Sequence, residues 1–146
     1  MPIIYQPIDE RLRKAYENTD YRVDAPALCL HIHEPCPALD QLLTEQQSTT
    51  AVFITAWNPG SRRLSSSENE RRQQALLELV AASGWMAFPG YGHGRAGDWP
   101  AEESLLIIGP DETQARRLGH ALGQVAIVGY RKGGNAELWS CVVGDQ

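Results

Sequence analysis

Asn69 and Arg72 are polar residues at positions where the sequence pattern calls for apolar ones. At helical spacing they continue the apolar stripe of Leu76 and Val80 toward the start of a helix. An unpaired guanidinium or amide on a buried face is costly, so both need partners. We expect them at the rim of a sheet near Asn58, where open α/β sheets bind ligands. The alternative is that they only anchor the loop after the preceding strand through its backbone carbonyls.

Other polar side chains stand at the predicted strand ends. Glu102 and Ser104 share one face of a strand, and Gln124 begins another. We therefore predict a binder of a small polar or anionic ligand, at a site formed by the 57–63 loop, the start of the 66–83 helix and the 90–104 segment. The predicted ligand-binding residues are Asn58, Asn69, Arg72, Glu102, Ser104 and Gln124.

Two other functions remain open. The first is a hydrolase-like enzyme at the same site, with Glu102 or Glu68 as general base. No Gly-x-Ser-x-Gly motif accompanies these carboxylates, so the sequence offers no nucleophile. The second is a protein interaction module without a ligand pocket. Its partner is not predicted by the sequence.

A cluster of possible metal ligands lies near the start of the chain. Strand alternation places Cys29, His31 and His33 on one face, and Cys36 follows shortly after. Two histidines at this spacing can chelate zinc, but a second ligand pair at zinc-finger spacing is missing. The sequence therefore predicts no bound metal and no cofactor, and it leaves the role of this cluster open.

Composition excludes several classes of protein. The chain has 146 residues, a formal charge of −5 and three cysteines. The acidic balance argues against general nucleic-acid binding, and no apolar run reaches the ~20 residues of a membrane helix. An odd number of cysteines without a visible secretory signal predicts reduced thiols and a cytoplasmic location.

Hydrophobic periodicity predicts alternating helices and strands. The fold class is therefore α/β or α+β, one domain over 1–146 with a mixed sheet of five to six strands flanked by three to four helices. The glycine-rich 90–97 segment is interpreted either as a mobile flap whose backbone approaches a ligand or as an ordinary long connection. Helices are predicted at 9–18, from Pro37, at 66–83 and after Asp111, and strands at 27–33, 51–57, 85–88, 104–108, 124–130 and 137–143.

The order of these motifs resembles a bacterial family known as domain of unknown function 3293. The similar segments are 53–61, Glu68-Asn69 with Arg72, the glycine-rich stretch, Trp99 with Glu102-x-Ser104, and 122–128. They cover roughly residues 50 to 130, and the first 45 residues match no part of the pattern. The resemblance implies no activity. It implies that the recurring polar residues are Asn58, Glu68, Asn69, Glu102, Ser104 and Gln124.

Overall fold

The computed structural model describes residues 3–59, 62–94 and 101–144, which form four helices and seven strands. The helices are α1 (Glu10–Glu17), α2 (Pro37–Glu45), α3 (Ser66–Ser83) and α4 (Glu112–Ala121). The strands are β1 (Thr19–Val23), β2 (Leu28–Leu30), β3 (Thr50–Ile54), β4 (Met86–Gly94), β5 (Glu102–Ile108), β6 (Ala126–Arg131) and β7 (Glu137–Ser140).

The seven strands form one sheet in the order β2-β1-β4-β5-β3-β6-β7, and every neighbouring pair is antiparallel. The prediction of a mixed sheet with five to six strands was wrong. Helix α3 does connect two strands of the same direction, β3 and β4, but β5 lies between them. Strand β3 likewise lies between β5 and β6, which α4 connects. The segment from β3 to β6 therefore has the β-α-β-β-α-β connectivity called split βαβ or ferredoxin-like.

Both ends of this central unit are extended, and the sheet curls into a half-barrel. The β1–β2 hairpin adds to β4, while β7 adds to β6. Just beyond β2, Ile32 forms an isolated bridge with Ala136. The His33 N–H donates to the Ala136 carbonyl at 2.8 Å, and the Ala136 N–H donates to the Glu34 carbonyl at 2.9 Å. The segment after β2 thus contacts the segment before β7, and the curl gives the sheet an inner and an outer face.

Each face of the sheet has its own apolar core. On the inner face, α2 buries Leu39, Leu42 and Leu43 against the strands. On the outer face, α3 and α4 cover the central strands. The buried residues that these two helices contribute to the outer core are Leu76, Val80, Ala115 and Leu118.

Side-chain caps fix where the helices begin. Asp9 and Ser65 accept hydrogen bonds from the backbone of the first turns of α1 and α3. Asp111 and Gln114 form a capping box at α4. Helix α3 ends at Gly84, whose φ of 78° is left-handed. These ends confirm the predicted helix at 66–83.

Two segments differ from the sequence prediction. Strand β1 was not predicted, because five residues with only Tyr21 and Val23 facing the core give a weak signal. The glycine-rich stretch from Gly90 to Gly94 is not a flap but the second half of β4. Gly90 is required there: a Cβ would lie 2.5 Å from the Arg22 carbonyl oxygen. The remainder of the predicted flap, 95–97, lies outside the described residues.

Among the described helices, none combines the length and the apolar character needed to cross a bilayer. The location predicted from the cysteines stays a prediction.

Candidate functional site

The loop after β3 is built around Asn58, a buried residue with a left-handed φ of 47°. Asparagine tolerates this conformation better than most residues, which explains its place in the turn. The Asn58 N–H donates to Oδ1 of Asn69 at 2.9 Å. In return, Asn58 Oδ1 accepts from Nδ2 of Asn69 and from the N–H of Leu64, both at 2.9 Å. The start of α3 thus holds the loop in one conformation.

Arg72 and Gln73 hold the chain before this loop. Arg72 Nε donates to the carbonyl of Ala56 at 2.8 Å, and its terminal nitrogen donates to the carbonyl of Leu122. Gln73, also buried, accepts from the N–H of Ala56 at 3.1 Å. Arg72 and Gln73, on the side of α3 that faces the sheet, therefore bind backbone groups. Arg72 binds two backbone carbonyls, as in the loop-anchoring alternative, whereas Asn69 binds both the backbone and the side chain of Asn58.

Gln124 lies on the other side of the same loop. Its Nε2 donates to the carbonyl of Trp57 at 2.9 Å, which ties the segment before β6 to the segment after β3. Backbone carbonyls of the loop are thus satisfied from both α3 and the α4–β6 connection.

The loop reaches the inner face of the sheet through one side-chain contact. Nδ2 of Asn58 donates to Oε2 of Glu102 at 2.6 Å. Glu102 pairs with Gly92 and Ser104 with Gly90 across β4 and β5, and both share the inner face of β5 with Leu106. The Ser104 hydroxyl donates to the carbonyl of Glu102 at 3.1 Å.

These residues border a cavity of about 390 Å³ between α1 and one end of the half-barrel. The antiparallel order brings the ends of β3 and β4 together with the starts of β1, β5 and β6 at this end. The cavity is lined by Leu12, Ala15, Tyr16, Thr19, Tyr21, Phe53, Ile54, Thr55, Asn58, Gly92, Gly94, Glu102, Ser104, Gln124, Ala126, Ile127 and Val128.

Small residues keep the cavity open. The inner-face positions at this end of the sheet include the small residues Gly92, Gly94, Ser104 and Ala126, whereas Leu106 and Phe53 fill the same face further along. A Cβ on Gly92 would approach no atom closer than 3.6 Å. Helix α1 forms the wall opposite the sheet with the apolar face that includes Leu12.

Charge is distributed unevenly around the cavity. Of its lining residues that the structure describes, Glu102 alone has an ionisable carboxylate or a basic side chain. Burial, together with the negative charge of Glu102, raises the pKa of the Tyr16 phenol to about 12. Burial also raises the pKa of Tyr21, whose hydroxyl donates to the Tyr16 carbonyl at 3.0 Å. Both phenols are therefore neutral at physiological pH.

The structure brings four of the six predicted site residues to the cavity wall: Asn58, Glu102, Ser104 and Gln124. Asn69 and Arg72 lie behind the wall. Glu68, the second candidate base, is an exposed residue of the first turn of α3. Its backbone N–H and its carboxylate bind the hydroxyl of the N-cap residue, and it does not line the cavity.

Sequence reasoning missed the wall formed by the first part of the chain. The apolar stripe of Leu12, Ala15 and Tyr16 was recognisable as a helix face, but nothing in its spacing showed that it covers a cavity. Thr19 and Tyr21 were missed with strand β1.

The predicted Cys/His cluster is split between two faces of the sheet. Cys29 and His31 lie on the outer face, with the thiol 3.7 Å from Nε2 of His31. His33 turns away with a φ of 76° and binds Glu17. Cys36 is buried at the start of α2 on the inner face. Asp20, which the sequence did not indicate, joins Cys29 and His31.

In a comparison with protein-family models, residues 54–127 match the family described as "Protein of unknown function (DUF3293)". The match covers just over half of the chain and contains all six predicted site residues. Helix α1 and strands β1 and β2 precede it. Neither the curated proteins nor the solved structures contain a match.

Proposed function

Since the chain belongs to the DUF3293 family, whose description assigns no activity, we propose a function from the cavity. The cavity binds a small molecule with an apolar body and a neutral or cationic polar head. The observation that carries this proposal is that Asn58, Glu102, Ser104 and Gln124, from three separate segments of the chain, lie around one cavity. Its volume of about 390 Å³ is within the range of small-molecule sites.

The lining supports an amphipathic ligand. Phe53, Leu12 and Val128 provide apolar surface, while the polar groups gather where the loop meets β5. Mostly apolar walls with a few placed polar groups are typical of ligand pockets, since the walls give affinity and the polar groups give orientation.

The charges favour a donor-bearing head over an anion. Glu102 brings a negative charge to the wall, and the guanidinium of Arg72 is used by the carbonyls of Ala56 and Leu122. An anionic ligand, which the sequence also suggested, would face the Glu102 carboxylate without a described cation in the wall.

A thermal-shift experiment with three probes of the same body tests this. Phenethylamine, phenylacetamide and phenylacetate share a phenyl ring and a two-carbon skeleton, and their heads are a cationic ammonium, a neutral amide and an anionic carboxylate. We expect phenethylamine to raise the melting temperature most and phenylacetate least. Glu102→Gln should remove the preference for the amine. Glu103→Gln is the matched control, because Glu103 is the exposed neighbour on the opposite face. Equal responses of the two variants would overturn the proposal.

A second candidate function is the enzyme with Glu102 as general base. The observation in its favour is that Glu102 places a carboxylate at a cavity wall, within reach of a bound molecule. The position of Glu68 on the exposed helix turn does not support it as the base. A substrate would be distinguished from a ligand by Glu102→Gln, which would then abolish turnover while binding persists.

A further inference from the structure

Three potential metal ligands meet on the outer face of the β1–β2 hairpin, away from the cavity. Nε2 of His31 lies 2.9 Å from Oδ1 of Asp20 and 3.7 Å from Sγ of Cys29. The three ligand atoms all lie within 4.8 Å of one another. The β1–β2 register places Arg22 opposite Cys29, so Asp20 and Cys29 project from the same face of neighbouring strands.

We propose that Asp20, Cys29 and His31 bind a zinc ion. Zn–S and Zn–N bonds of about 2.3 and 2.05 Å at a tetrahedral angle separate sulfur and nitrogen by about 3.6 Å. The separation of sulfur and nitrogen in this cluster is 3.7 Å. The Oδ1 of Asp20 lies 2.9 Å from the same nitrogen, so it must move by about 0.4 Å to reach the ~3.3 Å expected of a second ligand on a tetrahedral ion. A thiolate, an imidazole and a carboxylate are the ligand types that zinc takes in proteins, and three protein ligands leave one position open.

A plain ion pair explains only part of this geometry. A hydrogen bond between Asp20 and His31 requires no cysteine, whereas the same imidazole nitrogen also faces the Cys29 thiol. Arg22 pairs with the other oxygen, Oδ2 of Asp20, at 3.5 Å. Oδ1 is the oxygen that contacts His31 in the cluster.

His93 is the candidate for the fourth position. It is the register partner of Asp20 across β1 and β4, so its side chain projects from the same outer face. With His93 as a ligand the site would join three strands, β4, β1 and β2. With water instead, the site would join only the two strands of the hairpin.

The site is separate from the proposed ligand cavity. Asp20 and Cys29 face outward, whereas their neighbours Tyr21 and Leu30 face the inner core. Asp20, Cys29 and His31 also precede the family match at 54–127. Zinc binding would therefore be a property of this chain that the rest of the family need not share.

Cobalt titration of the full chain, stripped with a chelator beforehand, tests the proposal. A thiolate ligand gives Co²⁺ a charge-transfer band in the near ultraviolet, and a tetrahedral site gives intense d–d bands in the visible region. We expect both, and we expect Zn²⁺ to displace Co²⁺ and to raise the melting temperature. Cys29→Ser should abolish the charge-transfer band.

His31→Ala and Asp20→Asn provide independent variants in case Cys29→Ser folds poorly. Each should weaken Zn²⁺ binding more than roughly tenfold in a chelator competition. The matched control is His33→Ala, which removes an exposed histidine two positions away that binds Glu17 instead. His93→Ala should weaken binding if that imidazole is the fourth ligand and leave it unchanged if water is.

The proposal is overturned if the wild-type chain gives no charge-transfer band with Co²⁺. It is equally overturned if His31→Ala binds Zn²⁺ as tightly as His33→Ala does, since the metal would then sit elsewhere. Neither result would bear on the cavity, because none of these residues lines it.

Discussion

Nδ2 of Asn58 donates a 2.6 Å hydrogen bond to Oε2 of Glu102, across 44 residues of sequence. Asn58 lies in the loop after β3 and has a left-handed backbone conformation. Its contact joins this loop to Glu102, the first residue of β5. It connects the polar network around α3 with the cavity on the inner face of the sheet. It binds the loop to the residue that brings a carboxylate to the cavity wall.

Asn58→Asp replaces only Nδ2, the atom that donates to Glu102, by an oxygen, and it should therefore destabilise the protein. Aspartate can still accept from Leu64 and Asn69, but it would place a second carboxylate oxygen against Glu102. We expect the free energy of unfolding at pH 7 to fall by roughly 2–4 kcal/mol. Adding Glu102→Gln should recover at least half of this loss, since it removes the repulsion. Urea denaturation of the two single variants and the double variant measures the coupling, and additive effects would contradict the contact.

Arg72→Ala should lower stability but affect ligand binding little. It leaves the carbonyls of Ala56 and Leu122 without their donor, which costs about 1–3 kcal/mol for buried groups. Arg71→Ala is the matched control, because the neighbouring arginine is exposed and should change stability by less than about 0.5 kcal/mol. If the two variants were equally stable, Arg72 would not hold the loop.

Gly90 and Gly92 face the same side of β4 but should respond differently to alanine. A Cβ at Gly90 would lie 2.5 Å from the Arg22 carbonyl oxygen and 3.0 Å from the Phe53 ring, so something must move. A Cβ at Gly92 would make ordinary contacts at 3.6 Å with Thr19 and Tyr21. We expect Gly90→Ala to lower the free energy of unfolding by roughly 2 kcal/mol or more.

Gly92→Ala should change the same free energy by less than about 1 kcal/mol, and the larger Gly92→Val should block the cavity. Thermal denaturation compares the two alanine variants, and the phenethylamine response tests the valine variant. A full response in Gly92→Val would show that the probe binds outside the cavity.

Tyr16 should contribute a pH-dependent part of the stability. Burial and the Glu102 charge raise the pKa of its phenol from 10.0 to about 12, so folding favours the protonated form. This stabilisation is complete below pH 10 and is lost as the pH rises through about 12. Tyr16→Phe should therefore reduce the slope of the free energy of unfolding against pH between these two values. The reduction is at most the equivalent of one bound proton. An unchanged slope in a pH series of urea denaturations would contradict the buried position.

The sequence predicted what local patterns determine. Capping at Ser65 and Asp111 and the left-handed Gly84 follow from residue type, and the long helix α3 was predicted with its observed bounds. The insertion of β5 between β3 and β4 was not predictable, because strand neighbours depend on long-range packing. The glycines of β4 were taken for a loop, since their strand conformation depends on the Arg22 backbone and the Phe53 ring beside them.

The residues of the site were also predicted only in part. Alternation placed Glu102 and Ser104 on one face, and both do face the cavity. The polar end of the α3 stripe indicated that Asn69 and Arg72 need partners, but not whether a ligand or the backbone supplies them. Backbone carbonyls accept from Arg72, while both the backbone and the side chain of Asn58 bind Asn69. The cavity itself could not be predicted, because it is the space left between helix α1 and residues distant in sequence.

The central claim, that the inner cavity binds a small molecule, is tested most directly by mapping a probe onto the backbone amides. In a ¹⁵N-labelled chain titrated with phenethylamine, we expect saturable shift changes at Tyr16, Gly92, Ser104 and Gln124, and weaker ones with phenylacetate. Shifts confined to the outer surfaces of α3 and α4, or a spectrum that neither probe changes, would contradict the claim.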